Sequence, residues 1–314
     1  MRTKNILIAG AGNLGFYYFE ALKKVDFDLR IYIYDISNIS IQNFKKKIEK
    51  NKTITVFYIK NLKALPYYLD LAIISSSSNK RYLLIKEIFK FSIVKNLIVE
   101  KVIEQSLENL KKLKKLINKT NTFISFPRRC SEIYQYLKKK KLKKLHFLVI
   151  GAKWGLACNG IHFLDIISWI SRKKIKIINT SGLTKWYKSK RKGYDEVDGE
   201  VSLIFNENVS LKLVSRDNVD NIIKINSGSN LWTLEKSETL LKKNGKILKK
   251  TKKSLSISEI MKNEINQILK NKKTNLPKFN EIYLNHAIYI KKLLKNWNNF
   301  HRKKEKILSI KKYK

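Results

Sequence analysis

The sequence is short of the residues and runs that mark several classes of protein. Among 314 residues only two are cysteine, Cys130 and Cys158, and neither belongs to a CxxC or Cys/His metal-binding pattern. A disulfide framework is therefore excluded, no metal ion is expected, and a reducing cytosol is the simplest compartment. No apolar run approaches the length of a membrane span, and the predicted first strand is reached by residue 6. We therefore expect neither a membrane anchor nor a signal peptide.

Acidic residues are also scarce. The chain has 67 Lys and Arg against 25 Asp and Glu, which gives a formal charge of +42. Such a field attracts polyanions, so one interpretation is a protein that binds nucleic acid or an anionic membrane. The other is a compositional drift toward Lys, Asn and Ile. Lysine dominates and is spread from end to end, whereas nucleic-acid sites concentrate arginine and aromatic side chains, which favours drift. No specific nucleic acid and no membrane are expected as partners.

What the sequence does have is a glycine-rich turn near its start. Residues 6–9 are a short apolar run, the segment Gly10–Gly15 reads GAGNLG, and a helix-like stretch follows. In such a strand–turn–helix unit Gly10 permits the tight turn and Gly12 lets the backbone approach a pyrophosphate. Gly15 lets the helix pack close to the strand. The backbone N–H groups at the helix start then face the phosphates, which predicts dinucleotide binding.

An acidic residue stands where a dinucleotide-binding fold needs one. The next predicted strand, residues 29–34, is followed directly by Asp35, whose carboxylate can accept hydrogen bonds from a ribose 2′-hydroxyl. A 2′-phosphate would meet a negative charge there, and no arginine follows closely, so we expect NAD rather than NADP. A serine run follows a later strand, at the strand end where doubly wound sheets bind ligands, although it could merely cap a turn. The predicted cofactor-binding residues are Gly10, Gly12, Asn13, Leu14, Gly15, Asp35, Ser75, Ser76, Ser77, Asn79 and Glu100.

The order of predicted elements divides the chain in two. Apolar runs alternate with helical periods up to residue 126, which predicts an α/β fold with a doubly wound parallel sheet in residues 1–126. Strands then dominate, with a hairpin signal at Asn244-Gly245, and helices return near the end. Residues 127–314 should form an α+β domain with a mostly antiparallel open sheet for substrate binding and oligomerisation. An open sheet favours a homodimer or homotetramer, and the lysine-rich tail after His301 should be frayed and solvated.

Three side chains could carry chemistry. Lys101 follows the fifth predicted strand, at the expected edge of the nucleotide cleft, where its ammonium could stabilise an alkoxide. His162 and Asp165 lie three residues apart in the helix predicted over residues 161–171 and so share a face. A carboxylate beside an imidazole can fix the imidazole tautomer and suit it to general acid–base catalysis.

Three further side chains could recognise a substrate. Arg128, Arg129 and Trp154 lie at predicted strand ends that should face the same cleft. A bidentate arginine would bind a carboxylate or phosphate, and tryptophan offers an aromatic face to a sugar ring. The alternative is a surface ion pair and a core tryptophan.

In combination these motifs resemble the glucose–fructose oxidoreductase, inositol dehydrogenase and MocA family. The resemblance rests on Gly10–Gly15, on Glu100-Lys101 after the fifth strand and on residues 160–165, GIHFLD. It covers essentially the whole chain and implies oxidation or reduction of a sugar or cyclitol hydroxyl with NAD(P), on a sheet that supports dimerisation. It implies that Lys101 matches the lysine of the family's Glu-Lys-Pro motif. His162 and Asp165 match its Gly-x-His-x-x-Asp motif.

Two residues depart from that family's pattern. Val102 stands where the family usually has proline, often after a cis peptide bond. A cis bond before valine costs about 3 kcal/mol, so we expect the loop that carries Lys101 to be set differently. Cys158 stands where the family often has Asp or Asn, and Asn159 follows one place later.

The sequence therefore supports an NAD-dependent oxidoreductase that moves a hydride between nicotinamide and a hydroxyl-bearing carbon of a sugar, sugar acid or nucleotide sugar. The resemblance also implies surface-carbohydrate biosynthesis. A non-catalytic NAD-binding sensor or scaffold stays open, as does a polyanion binder. The predicted catalytic residues are Lys101, His162 and Asp165, and the predicted substrate-binding residues are Arg128, Arg129, Trp154 and Asn159.

Overall fold

A computed structural model of the chain describes residues 3–48, 53–142, 144–189, 193–251 and 256–310. Contacts divide these residues into two compact units. The first consists of the described residues within 1–104, 108–127 and 255–281. The second consists of those within 105–107, 128–254 and 282–314. No helix among the described residues is long and apolar enough to cross a membrane.

The first unit is built on a parallel sheet, in the order β3-β2-β1-β4-β5-β6. Its strands are β1 (Lys4–Ala9), β2 (Leu29–Tyr34), β3 (Ile54–Ile59), β4 (Tyr68–Ile74), β5 (Ile93–Glu100) and β6 (Asn121–Ser125). The intervening helices are α1 (Asn13–Leu22), α2 (Asn38–Lys46), α3 (Arg81–Phe91) and α4 (Leu107–Leu116). Central strands are buried on both faces, which is why β1 and β4 contain almost uninterrupted apolar runs. The predicted doubly wound sheet is confirmed, and its order reverses between β1 and β4.

The second unit is built on a long, mostly antiparallel sheet, as predicted. Its described strands are β7 (Leu145–Gly151), β8 (Ile177–Asn179), β9 (Leu183–Lys188), β10 (Asp195–Asn206), β11 (Val209–Ser215), β12 (Ile222–Ser227), β13 (Asn230–Glu235), β14 (Leu240–Lys243) and β15 (Lys246–Lys250). Their order is β15-β14-β13-β12-β7-β11-β10-β8, with β9 paired to β10. Only the β7–β11 pair is parallel among the described pairs of this sheet. The helices of this unit are α5 (Glu132–Lys139), α6 (Leu156–Ser171) and most of α8 (Phe279–His301).

The Asn244-Gly245 turn is confirmed as the hairpin between β14 and β15. Both residues have positive φ, 49° at Asn244 and 80° at Gly245, as a two-residue hairpin turn of this kind requires. Two short strands, β8 and β9, are not in the prediction. The sequence also predicts a helix over about residues 40–50, of which residues 49 and 50 lie outside the described residues.

A late helix returns to the first unit. Helix α7 (Ile257–Leu269) packs against α1, and Lys270 Nζ lies 2.7 Å from an Asp26 carboxylate oxygen. The predicted boundary placed every residue after 126 in the second domain, whereas residues 255–281 join the first unit. An amphipathic helix shows in sequence that it has an apolar face, but not which sheet that face covers.

The lysine-rich tail differs from its prediction. Residues 302–307 are exposed, as predicted, but Leu308 and Ile310 are 0% and 1% exposed, so the tail is packed at that point and not frayed. Leu308 N donates to Gln105 O at 3.1 Å, and Gln105 Nε2 donates to Ile310 O at 2.9 Å. Two apolar side chains among many lysines are therefore enough to anchor the tail to residues 105–107.

Candidate functional site

The glycine turn after β1 contains two kinds of glycine. Gly10 has φ of +117°, and a Cβ there would lie 2.5 Å from Ser76 N. A Cβ on Gly15 would lie 2.0 Å from Gly10 O, so packing within the unit requires both glycines. Gly12 is different, because a Cβ there would meet nothing within 4 Å and its φ of −80° suits any residue. The space beside Gly12 is therefore open to a ligand.

Asp35 lies against this turn. Its Oδ2 accepts a hydrogen bond from Ala11 N at 2.7 Å, and its Oδ1 accepts one from Ser37 N at 2.8 Å. A carboxylate has about four acceptor positions, so each oxygen can still accept from a ribose hydroxyl. The predicted position of Asp35 at the end of β2 is thus compatible with its predicted role.

A cavity of about 410 Å³ opens beside the start of α1. Its walls come from the glycine turn and from α2, and they include Gly12, Asn13 and two lysines, Lys46 and Lys47. The sequence prediction did not single out these two lysines, because they lie at the far end of α2 in a chain rich in lysine. They place positive charge in the wall of this cavity, beside the glycine turn.

The serine hydroxyls after β4 differ in their hydrogen bonding. Ser75 Oγ donates to Gly10 O at 2.8 Å, so this hydroxyl braces the glycine turn. Ser77 is exposed and its Oγ donates to Asn79 Oδ1 at 3.1 Å. Ser76 Oγ is buried and has no hydrogen-bond partner among the described residues. A buried hydroxyl without a partner is costly, so Ser76 is the member of the run best suited to meet a ligand.

The residues at the end of β5 are firmly held. The Glu100 carboxylate is buried and accepts a hydrogen bond from Tyr18 OH at 2.6 Å. Burial, and then the charge of Glu100, raises the pKa of Tyr18 well above 10. Lys101 follows and is half-buried. The Lys101–Val102 peptide bond is cis, although this chain has valine where the family that it resembles usually has proline.

Arg81 ties the serine loop to the Lys101 loop and was not predicted as a site residue. Its guanidinium is buried, and Nε and Nη2 donate to Ser76 O at 3.1 and 2.6 Å. Nη1 donates to the carbonyl oxygens of Glu100 and Val102, the residues on either side of Lys101. In the sequence, an arginine at the first position of a helix gives no sign that its side chain reaches two loops.

In the second unit, the start of α6 is fixed by buried polar contacts. Glu196 is 0% exposed, and its Oε2 accepts from Ala157 N at 3.0 Å. Asn159 Nδ2 donates to Trp154 O at 2.7 Å. A carboxylate at a helix N-terminus satisfies an amide and complements the dipole. The helix therefore begins at Leu156, five residues before its predicted start, and Gly155 precedes it with φ of +76°.

His162 and Asp165 lie on α6, as predicted, and both are buried, at 7% and 1% exposure. Both carboxylate oxygens of Asp165 accept from Arg129, at 2.9 Å from Nε and 2.6 Å from Nη2. This is a bidentate, buried ion pair, so Arg129 and Asp165 compensate each other's charge. The sequence analysis gave a surface ion pair as the alternative to substrate binding by Arg129. The structure shows an ion pair, but it is buried.

Arg128 is also paired within the protein. Its Nε and Nη2 donate to the Glu238 carboxylate at 3.0 and 2.7 Å, and its guanidinium lies 4.4 Å from the centroid of the Phe163 ring. Tyr134 OH donates to the same carboxylate at 2.8 Å. Burial lowers the pKa of Arg128 while the charge of Glu238 raises it, and the net shift is upward. The guanidinium is therefore permanently charged and held in one orientation.

The Arg128–Glu238 pair lies at the wall of a cavity of about 370 Å³. Trp154 is fixed there through its Nε1, which donates to Val214 O at 2.8 Å, and its ring stands edge-on to Phe163. The polar and aromatic lining residues are Arg128, Trp154, Asn159, Phe163, Asn221, Ser237 and Glu238. His162 lies three residues after Asn159 on α6 and so shares that helix face.

Four of these lining residues were missed by the sequence prediction, namely Phe163, Asn221, Ser237 and Glu238. Asn221 precedes β12, and Ser237 and Glu238 form the turn between β13 and β14. Nothing in a single sequence links a polar turn residue to an arginine more than a hundred positions away. Arg128, Trp154 and Asn159, which were predicted, do line one cavity.

Comparison with known proteins agrees with the fold. Residues 4–126 match a family described as an oxidoreductase family with an NAD-binding Rossmann fold. No curated protein sequence matches the chain at a significant level.

Solved structures match over nearly the whole chain. The transcriptional regulator Gal80p of Kluyveromyces lactis is 14% identical at a TM-score of 0.71, covering 98% of this chain and 95% of that one. A dehydrogenase (MviM) of Clostridium difficile is 14% identical at 0.67, covering 93% and 99%. The UDP-N-acetylglucosamine 3-dehydrogenase GnnA of Acidithiobacillus ferrooxidans is 11% identical at 0.67, covering 93% and 96%. At these identities the likeness is one of fold.

Proposed function

We propose that this chain, whose residues 4–126 match the GFO/IDH/MocA family of oxidoreductases with an NAD-binding Rossmann fold, is an NAD-dependent sugar dehydrogenase. The proposed substrate is a sugar or nucleotide sugar with an oxidisable hydroxyl, or the corresponding ketone. The similar fold of a UDP-N-acetylglucosamine 3-dehydrogenase supports this substrate class.

The observation that carries the proposal is the open space at Gly12. The protein needs glycine at positions 10 and 15 for its own packing, whereas position 12 would accept a side chain without a clash. A ligand that lies against the backbone there would explain the glycine, and Ser76 Oγ, Asp35 and the lysine-lined cavity would supply contacts to a dinucleotide. We propose NAD over NADP because Asp35 would repel a 2′-phosphate.

The bound cofactor would supply the hydride acceptor or donor, and the protein would handle the proton and the charge. We propose that His162 exchanges the proton of the reacting hydroxyl and that Lys101 stabilises the developing alkoxide. Asp165 is proposed as a positioning residue that acts through its pair with Arg129, which fixes the middle of α6.

The first test is cofactor binding, measured by NADH and NADPH fluorescence with wild type and Gly12→Val. The variant should fold and melt like wild type, because a Cβ at that position would meet none of the described residues within 4 Å, yet it should bind NADH far more weakly. Unchanged NADH affinity in a folded Gly12→Val variant would remove the basis of the proposal. Tighter NADPH than NADH binding would reverse the cofactor preference alone.

The second test is turnover of a panel of sugars, sugar acids and nucleotide sugars with NAD or NADH. Lys101→Met and His162→Asn should lower kcat by about 100-fold or more on the substrate found. Matched controls are Lys95→Met, an exposed lysine on β5, and His146→Asn, a half-buried histidine on β7. Activity that survives both site variants would show that these side chains do not carry the chemistry.

A second candidate function is a non-catalytic NAD-binding sensor or scaffold. It is favoured by the similarity of fold to a transcriptional regulator, with the highest TM-score of the three structures compared above. It predicts NADH binding without turnover over the whole panel, so the two tests together separate it from the dehydrogenase.

A further inference from the structure

The cavity of the second unit is lined by a complete ion pair. Arg128 and Glu238 both line it, and their charges sum to zero. The other polar lining side chains are the neutral Asn159, Asn221 and Ser237. The cavity therefore presents hydrogen-bond donors and acceptors beside an aromatic ring, but no net charge.

The turn that supplies Glu238 has an unusual backbone. Lys236, Ser237 and Glu238 have φ of 49°, 55° and 67°, three successive left-handed residues without a glycine. Such residues are unfavourable and persist only where their surroundings compensate. Here the compensation is visible, because the Glu238 carboxylate receives bonds from Arg128 and from Tyr134. The turn is thus held in the one conformation that brings Glu238 to the cavity wall.

An anionic substrate would have to compete with Glu238 for Arg128. A sugar carboxylate that approached the guanidinium would find Nε and Nη2 already donating to Glu238, and the Glu238 carboxylate would repel it. An uncharged ring meets no such cost, since its hydroxyls can donate to Glu238 and accept from the amide groups while one face lies on Trp154.

We propose that Glu238 is a specificity-determining residue and that this cavity takes an uncharged sugar ring, excluding rings that bear a carboxylate. The inference rests on the proposed function, since it names the substrate class of the same protein. It concerns the sugar ring alone, so it applies equally to a free sugar and to the sugar of a nucleotide sugar.

The test uses neutral sugars, each paired with its own acid, on the full chain with saturating NADH. The pairs are glucose and glucuronate, galactose and galacturonate, and UDP-glucose and UDP-glucuronate, measured by isothermal titration calorimetry at about 0.15 M ionic strength so that the general positive field is screened. In wild type, the neutral member of the bound pair should bind at least about tenfold more tightly. An acid that binds more tightly than its neutral partner would overturn the inference, as would no binding by any member.

Glu238→Gln gives the second arm. It keeps the shape of the side chain but leaves the charge of Arg128 uncompensated, so affinity for the acid should rise by about tenfold relative to the neutral sugar. The matched control is Glu200→Gln, which removes the same charge from an ion pair with Lys212 on the strand surface and should leave the ratio unchanged. An unchanged ratio in a folded Glu238→Gln variant would also contradict the inference. NADH binding, measured separately, shows whether the proposed function stands in either case.

Discussion

Replacement of Arg81 by methionine is the most direct test of how the first unit holds its loops. The guanidinium donates to the carbonyl oxygens of Ser76, Glu100 and Val102, so one buried side chain joins the loop after β4 to the loop after β5. Methionine fills much of the same volume but donates no hydrogen bond. The carbonyl groups would then have to find water or remain unsatisfied.

The expected loss of stability follows from these contacts. Each lost hydrogen bond to a charged donor is worth about 1.5–3 kcal/mol, but the variant no longer has to desolvate a guanidinium when it folds, which offsets part of the loss. We therefore expect the free energy of unfolding to fall by about 3–5 kcal/mol, which is less than the sum over the individual bonds. Arg81→Lys should lie in between, because an ammonium keeps the charge but cannot span both loops.

The distribution of tryptophan makes the measurement selective. All five tryptophans lie in the second unit, at positions 154, 169, 186, 232 and 297. Urea unfolding followed by far-UV circular dichroism reports both units, whereas tryptophan fluorescence reports the second. Arg81→Met should move the dichroism transition to lower urea. The matched control is Arg30→Met, an exposed arginine on β2, which should change stability by less than about 0.5 kcal/mol.

Equal stability of Arg81→Met and Arg30→Met would refute the reasoning, because it would mean that the three carbonyl groups do not depend on Arg81. A loss confined to the fluorescence transition would refute it too. On the substrate found by the turnover test, Arg81→Lys should lower kcat more than it raises KM, since it would loosen the backbone on both sides of Lys101.

Two further predictions concern stability. Burial raises the pKa of Tyr18, Tyr134 and Tyr289 well above 10, so the folded chain keeps phenol protons that the unfolded chain releases. The free energy of unfolding should therefore fall as the pH rises above about 10, and each Tyr→Phe replacement should reduce that slope by up to about 1.4 kcal/mol per pH unit. Urea midpoints between pH 9 and 11 measure the slope, and a slope that all three replacements leave unchanged would be contrary evidence. Leu308→Ala should lower the free energy of unfolding of the second unit, measured by tryptophan fluorescence in urea, by about 2–5 kcal/mol, since Leu308 is fully buried. The control is Ile307→Ala at the neighbouring position, which is 43% exposed. An equal loss of stability in the two variants would mean that Leu308 does not anchor the tail.

Local patterns predicted most of the fold. The strand from Leu29 to Tyr34 has the predicted bounds, because burial of its alternate residues and the acidic residue after it leave a clear pattern. The assignment of α7 to the first unit and the packing of Leu308 did not follow, since both depend on contacts between distant parts of the chain.

The candidate site was predictable in its motifs but not in its pairings. The glycine turn and Asp35 lie in one strand–turn–helix–strand unit, so their contact follows from the geometry of that unit. The partners of Arg128, Arg129 and Arg81 did not follow, because a carboxylate or carbonyl far along the chain cannot be identified from spacing. Those partners decide which charges remain for a ligand, so charge at a site has to be judged from the fold.

The tail described above also affects how the protein is made. Each unit draws on segments that are far apart in sequence, with residues 255–281 in the first and residues up to Ile310 in the second. Domains of multidomain chains commonly fold in order during synthesis, the N-terminal one first. Here the first unit needs residues 255–281 and the second needs residues up to Ile310, so each should reach its final structure only long after the glycine turn has been translated.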